Sequence, residues 1–349
     1  MTTIECRSEF DFASGEYAEL FAKSDATAFQ HPIWLSSFYR NVAAGAVAAP
    51  LVLVLRDGRR LTGVVPLIRR RKNGLRLIET TDLGVSDYAA PVLSPGLFAA
   101  CEAGPLRERV RDSLPAHDVL RLRPVRREHD EAWALLLGGE RKPLSFSTHA
   151  VDLAGGYDRF RATMLDASLR RQMDRKTRKL KREHRAELVR PSDPDEVADA
   201  IRTLARLREG RFEGDVIGRD AALAHYVEVA VRGAASGFAE TFVLRGRGET
   251  IGVVFGIAHR KRFHYLLIGC DYERWGKFSP GLLMYDGIIR DWTERGGDTF
   301  DFTIGDEPFK PRFGARATPM SVHVATSGVA GRLAGAFVPN RLMGEGAAA

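Results

Sequence analysis

Cysteine is scarce: Cys6, Cys101 and Cys270 are the three in 349 residues. Their wide separation excludes a disulfide framework and fits a reducing cytosol. Cys270 closes an apolar run and reads as a buried structural thiol rather than a nucleophile. The nine histidines show no paired ligand spacing, so no structural metal is expected. No stretch approaches the ~18 uninterrupted apolar residues of a membrane span. Residues 1–11 lack the basic-then-apolar pattern of a signal peptide, and a cytoplasmic protein is expected.

What is present is a globular composition with 44% apolar and 28% charged residues, long enough for two domains. The net charge of +7 favours anionic partners: CoA, nucleotides, RNA, acidic sugars or membrane headgroups.

Strand and turn signals alternate with helical ones in the first half. Trp34 to Val42 reads as a short helix, residues 51–55 and 61–69 as a hairpin around Asp57-Gly58, and residues 75–78 as a further strand after Asn73-Gly74. Helices are expected over residues 97–114 and 127–137, with a strand at 119–122 between them. Gly138-Gly139 and Lys142-Pro143 read as a connection, which places a domain boundary near residue 150. The expected parts are an N-terminal domain 1–150, a C-terminal domain 151–330 and a tail 331–349.

Asp158 to Arg185 reads as one long helix with a narrow apolar stripe, Leu165, Leu169, Met173 and Leu180, crowded by arginine and lysine. Asp193-Pro194-Asp195-Glu196 has cap, proline and acid in register for a helix start. Another helix (221–231), a hairpin (241–258) and an apolar strand, Phe263 to Gly269, follow.

After that strand comes Phe278-Ser279-Pro280-Gly281, opening a run with helical apolar spacing to Thr293. Ser279 can cap and Pro280 suits the first helical position. Free N–H groups at Gly281, Leu282 and Leu283, at the positive end of the helix dipole, make an anion site fit for a pyrophosphate. Arg274 and Lys277 precede it and can pair with phosphates. Ile268 and Gly269 end the strand alongside. Then Thr299 to Ile304 alternates as a strand, and Asp306, Glu307 and Lys310 follow Gly305. Several charges in a loop after a core strand suggest a site or a tight ion-pair cluster. A carboxylate there, or Asp301, can act as a base, and Lys310 can stabilise a negative charge. Tyr265 and Tyr272 can act as acids, and Tyr285 and Asp286 lie one turn into the helix.

The ordered block of strand, S-P-G helix start and D-F-T-I-G-D-E-P-F-K-P-R-F-G (301–314) resembles the C-terminal half of GNAT-like acyltransferases of the BioF2-like, cellulose-biosynthesis type. Phe29-Gln30-His31-Pro32-Ile33-Trp34-Leu35, Val65-Pro66-Leu67 and Ser86-Asp87-Tyr88 are similar to that group's N-terminal motifs. The resemblance spans roughly residues 25–325. It implies a mixed α/β (α+β) fold of tandem GNAT-like domains, each a mostly antiparallel sheet flanked by helices, with the N-terminal copy degenerate. It implies transfer of an acetyl or other acyl group from acyl-CoA to an amine or hydroxyl, with a sugar or exopolysaccharide precursor as acceptor. Trp34, Asp87 and Tyr88 match in the first half and can contact that substrate. The pyrophosphate loop departs from the usual GNAT spacing. That leaves room for the related peptidoglycan-bridge aminoacyltransferases, whose donor is aminoacyl-tRNA, and for a non-catalytic accessory protein of polysaccharide synthesis. The basic helix can bind tRNA or rest on anionic lipid, although no aromatic-rich RNA motif accompanies it. DNA is not expected as a partner.

Overall fold

The computed structural model describes residues 2–97, 105–211 and 214–337. Its strands, in chain order, are β1 (Thr2–Arg7), β2 (Ala49–Asp57), β3 (Arg60–Lys72), β4 (Leu75–Thr80), β5 (Val92–Leu93), β6 (Val119–Arg126), β7 (Glu140–Asp152), β8 (Glu187–Val189), β9 (Ala239–Gly246), β10 (Glu249–His259), β11 (Arg262–Cys270), β12 (Thr299–Ile304) and β13 (Arg316–Thr326). The chain divides into two compact units. Unit 1 holds the residues up to Phe146 and returns from Thr318, and unit 2 runs from Ser147 to Ala317.

Unit 1 is built on strict two-residue alternation. Leu51, Leu53 and Leu55 of β2 enter one apolar cluster with Leu67, Leu120 and Trp133, while Val52 and Val54 enter another with Phe12, Tyr17 and Val64. The sheet is therefore covered on both faces. Its strand order is β1-β2-β3-β4-β6-β13, antiparallel except for the parallel pair β4–β6. Asn73 and Gly74, both at positive φ (53° and 81°), make the tight turn between β3 and β4.

Unit 2 repeats that plan. β8-β9-β10-β11 are antiparallel, β12 runs parallel to β11, and β7 lies antiparallel to β12. Unit 1 thus ends on a strand from elsewhere in the chain, and unit 2 on its own first strand. The strand after β12 in sequence, β13, pairs with β6 of unit 1, and β7 closes unit 2. β13 lies within the expected domain 151–330 but pairs in unit 1. The expected connection through Lys142-Pro143 is likewise the strand β7.

The helix Pro194–Arg208 starts as its sequence dictates. Asp193 accepts from the N–H groups of Asp195 (2.9 Å) and Glu196 (3.1 Å), and Val197, Ile201 and Leu204 face inward. The long helix expected from residue 158 is instead broken. A turn ends at Met164, Leu165 is extended, and Asp166 caps a new helix, Ala167–His184, by accepting from Leu169 N–H at 2.8 Å. An aspartate that satisfies an orphan helix donor favours a start over continuation. Of the helix expected over 97–114, Leu106–Asp112 is present and residues 98–104, with Cys101, lie outside the described residues. The expected tail from residue 331 is helical from Gly328 to Phe337.

Candidate active site

The site begins with a gap in unit 2's sheet. β11 and β12 pair for three residues, Arg262↔Thr299, Phe263↔Phe300 and His264↔Asp301. β11 then continues to Cys270 with β10 as its one ladder partner among the described residues. Two local devices open this edge. The register between β10 and β11 shifts beside Leu266, which puts Tyr265 and Ile268 into the same core cluster. On β12, Thr303 adopts φ 55°, a left-handed conformation that a β-branched residue rarely accepts. It persists because its N–H donates to Asp301 Oδ1 (2.9 Å) and its hydroxyl donates to the Tyr265 carbonyl (2.9 Å).

Asp301 is fully buried at the last rung. Besides Thr303 it accepts from Arg262 Nη1 (3.1 Å) and Thr148 Oγ1 (3.4 Å), with His264 Nδ1 at 3.4 Å. So enclosed, the carboxylate fixes where the ladder ends.

Asp306, Glu307 and Lys310 follow the turn at Gly305, but they do not act as one cluster. Asp306 turns to β7, where its carboxylate meets His149 Nε2 (2.8 Å) and accepts from Ser147 N–H (3.3 Å). Lys310 has no exposed surface. Its ammonium donates to the Ile304 and Gly305 carbonyls (2.8 and 2.9 Å) and contacts Glu307 Oε2 at 2.8 Å. Two hydrogen bonds and one ion pair thus hold the ammonium within its own loop. Glu307 is left as the half-exposed carboxylate, held in place by Lys310.

Beside Glu307 lies a buried hydroxyl pair. Tyr265 and Tyr285 are hydrogen-bonded, their rings 5.0 Å apart edge to face, and burial holds both phenols well above the ordinary range. Arg208, almost fully buried at the end of its helix, donates to the Ile268 carbonyl (2.9 Å) and to Asp215 (2.6 Å). That helix presses on the strand at Gly269, where a Cβ would come 2.7 Å from the Leu204 carbonyl. Gly269 therefore serves helix–strand contact.

The helix Pro280–Glu294 starts where β11 ends. Ser279 does not cap it, contrary to expectation. Ser279 sits at φ 54°, its hydroxyl accepts from Lys176 Nζ (2.6 Å), and its carbonyl takes the N–H groups of Leu282 (3.1 Å) and Leu283 (3.4 Å), so these two N–H groups, expected to be free for an anion, are already engaged. Gly281 meets the end of β11 and the chain beyond it, because a Cβ there would stand 2.7 Å from Tyr272 Oη and 3.3 Å from Ile268 Cδ1. Tyr272 bonds the Cys270 thiol, which burial pushes up to about 12, and Arg211 lies 4.3 Å over its ring.

Cations gather here from two elements. Lys176 comes from the basic helix, and Lys179 (5.9 Å) and Lys277 (5.2 Å) lie over the Phe278 ring. Burial, with Arg175 beside it, pulls the Lys176 ammonium below the ordinary lysine range. Arg274 is an exposed residue paired with Glu249 at 2.5 Å. The basic helix and the S-P-G turn, two separate features of the sequence, thus meet at one helix start. Asp286 faces away from it, accepting from Arg161 (2.8 Å) and Tyr157 (3.1 Å).

The corresponding gap in unit 1 is filled. β4 and β6 also pair for three residues, ending at Glu79↔Arg121. Beyond that rung, Ala89 N–H donates to the Pro124 carbonyl (2.8 Å), and Trp34 and Tyr88 are fully buried. Trp34 Nε1 donates to Ser86 Oγ (3.0 Å), and Arg126 lies 4.8 Å over the Tyr88 ring. A ligand reaches neither aromatic without displacing this packing, and Asp87 is half-buried between them in sequence.

Sequence reasoning missed His149, Thr303 and Arg208. A repeat signals the first, since Ser147-Thr148-His149 in β7 matches Ser321-Val322-His323 in β13. Nothing local marks Thr303 or Arg208. Within the charged segment 209–213, Phe212 and Glu213 lie outside the described residues.

Residues 167–311 match the family model described as an acetyltransferase (GNAT) domain. No curated protein matches the sequence. Among solved structures, FemX is similar over 91% of this chain and 96% of its own, at 12% identity and a TM-score of 0.61. The C-terminal domain (DUF2156) of a proposed lysylphosphatidylglycerol synthetase from Agrobacterium fabrum is similar over 93% of both chains, at 13% identity and a TM-score of 0.59. A conserved protein of unknown function from Bacteroides thetaiotaomicron is similar over 93% of this chain and 100% of its own, at 12% identity and a TM-score of 0.55. At such identities the likeness establishes the fold, a GNAT-like mixed α/β architecture.

Proposed function

We propose that unit 2 is an acyltransferase that moves an acyl group from acyl-CoA to an amine or hydroxyl. One observation carries the reading: β11 loses its parallel partner after His264, and the unpaired stretch leads to a helix start where Lys176 is bonded to Ser279. An unpaired strand edge can hold the amide-bearing arm of a donor, and a cation-flanked helix start can hold its phosphates. In this reading Ile268, Ser279, Gly281, Leu282 and Leu283 line the donor path, with Lys277 and Arg274 at its mouth.

The chemistry needs no covalent intermediate. Glu307 takes a proton as the acceptor nitrogen or oxygen bonds to the thioester carbon. The C–S bond breaks and the leaving thiolate takes a proton from Tyr272, whose phenol burial keeps protonated. Lys310 and Asp306 act by positioning the loop that carries Glu307. The acceptor proposed is a sugar or envelope precursor, on analogy with the resembled family.

Aminoacyl-tRNA is the second donor reading, favoured by the charge of the helix Ala167–His184. Thermal stabilisation separates the two. A donor at ~100 times its dissociation constant adds about 2.7 kcal/mol. Stabilisation by CoA supports the first reading, stabilisation by tRNA alone the second, and stabilisation by neither supports a non-catalytic accessory protein.

A further inference from the structure

The helix Ala167–His184 carries eight basic side chains against two carboxylates, Asp174 and Glu183. Eight against two leaves +6, set beside +7 for the whole chain. At 100° per residue, Leu169, Met173 and Leu180 fall on one side of the helix, and all three are buried. Lys176 shares that side, which is how it reaches Ser279. Arg171, Arg175, Arg178 and Arg182, spaced 4-3-4, fall on the opposite side, and all are exposed. Among the described residues, no ion pair engages Arg171, Arg175 or Arg178, and Arg182 pairs with its neighbour Glu183 at 3.0 Å.

The ridge is about 17 Å long, at 1.5 Å per residue. Four guanidiniums in line are more than the stability of an exposed helix requires, and like charges at this spacing oppose it. They suit a ligand that presents phosphates at regular intervals, because guanidinium and phosphate oxygens match in pairs. A lipid surface fits less well. Among the exposed residues of this helix the apolar one is Ala167, so nothing is available to insert between headgroups.

We infer that the arginine ridge Arg171-Arg175-Arg178-Arg182 is a docking surface for the sugar–phosphate backbone of RNA. The ridge lies on the outer face of the helix whose other face delivers Lys176 to the proposed donor site. The inference rests on unit 2 holding its donor at that helix start, but RNA binding is measurable without any transfer.

The test is fluorescence anisotropy of a labelled, uncharged tRNA transcript against the full chain across a salt series. The variants are the four ridge arginines changed to glutamine, singly and together. A control removes charge elsewhere, Arg59→Gln with Arg71→Gln. The wild type should bind at low salt, each single variant should weaken binding several-fold, and the quadruple variant at least a hundred-fold. The slope of log K against log salt should flatten by about three, since each phosphate left without its arginine removes about 0.7–0.9 from it. Unchanged melting temperatures show that the variants fold. The inference is overturned if the wild type fails to bind tRNA at low salt, if the quadruple variant binds as the wild type does, or if the control weakens binding equally. Binding to phosphatidylglycerol vesicles without binding to tRNA also overturns it. CoA calorimetry run in parallel judges the donor reading separately: retained RNA binding without CoA binding leaves the ridge standing and removes acyl-CoA.

Discussion

His149 and Asp306 are joined through Nε2 and Oδ1 at 2.8 Å, and His323 and Asp130 repeat the pair in unit 1 at 2.9 Å. The two histidines occupy matching places. Each precedes the residue opposite the last parallel rung, Ala150 opposite Asp301 and Val324 opposite Arg121. In each case a serine two residues earlier also bonds the aspartate, Ser147 through its N–H and Ser321 through its hydroxyl. In both histidines Nδ1 is buried without a hydrogen-bond partner among the described residues. The pair recurs where the gap is filled as well as where it is open, so it belongs to the architecture of each unit. Asp306→Ala and Asp130→Ala should each lower stability by about 1–3 kcal/mol, the cost of stranding a buried imidazole. Denaturant titration measures this. If Asp306→Ala removes turnover without changing stability, Asp306 is a catalytic base instead.

Glu307 is then the carboxylate left to accept a proton. Glu307→Gln should lower acyl transfer by roughly a hundred- to a thousand-fold while CoA affinity holds. Until an acceptor is found, slow hydrolysis of a CoA thioester is the assay. Equal turnover in wild type and variant rules out Glu307 as the base.

Lys310 is predicted to act differently. Lys310→Met strands two carbonyls and a carboxylate, and should destabilise unit 2 by about 3 kcal/mol. Turnover should fall with the loop's order, and lowering the temperature should recover part of it. A variant that stays fully stable yet inactive would place the ammonium at the reacting carbonyl.

Gly281 offers a two-step test. Gly281→Val drives a side chain against Tyr272 Oη and Ile268 Cδ1. CoA affinity should drop at least tenfold. Adding Tyr272→Ala makes room beside the helix start. If the valine blocks the phosphates, the double variant stays weak. Full recovery of affinity would show that the glycine serves Tyr272 and that the phosphates lie elsewhere.

The Lys176 charge gives a pH signature with two opposite signs. Its pKa in the fold lies below the ordinary lysine value, so the folded state binds this proton less tightly than the unfolded chain. Stability from this group therefore rises as pH climbs through the depressed pKa. Donor affinity moves the other way, falling over the same window as the ammonium is lost. Lys176→Arg should flatten the affinity profile at alkaline pH. An affinity profile identical in both proteins removes Lys176 from the donor site.

The sequence by itself determined the local elements. Alternation set β2 and β12, Asp193-Pro194 set a helix start, and Pro280 with Gly281 marked another, because caps and periodicity act within a few residues. It also marked two basic and glycine-rich features that both reach the site. It could not tell that they meet. Lys176 and Ser279 lie 103 residues apart, and only packing of the helix Ala167–His184 on unit 2 brings them to 2.6 Å. Tertiary structure also separated residues that are adjacent in sequence. Asp306 went to His149 and Glu307 to Lys310, because each carboxylate takes the partner that its backbone direction presents after the turn at Gly305. It likewise decided which gap stays open. Both parallel pairs end after three rungs, but the chain after β4 folds back beside β6, and its Tyr88, together with Trp34 from before β2, fills unit 1. The strain at Thr303 has no local cause. It persists because Asp301 and the Tyr265 carbonyl, brought together by strand pairing, supply its hydrogen bonds.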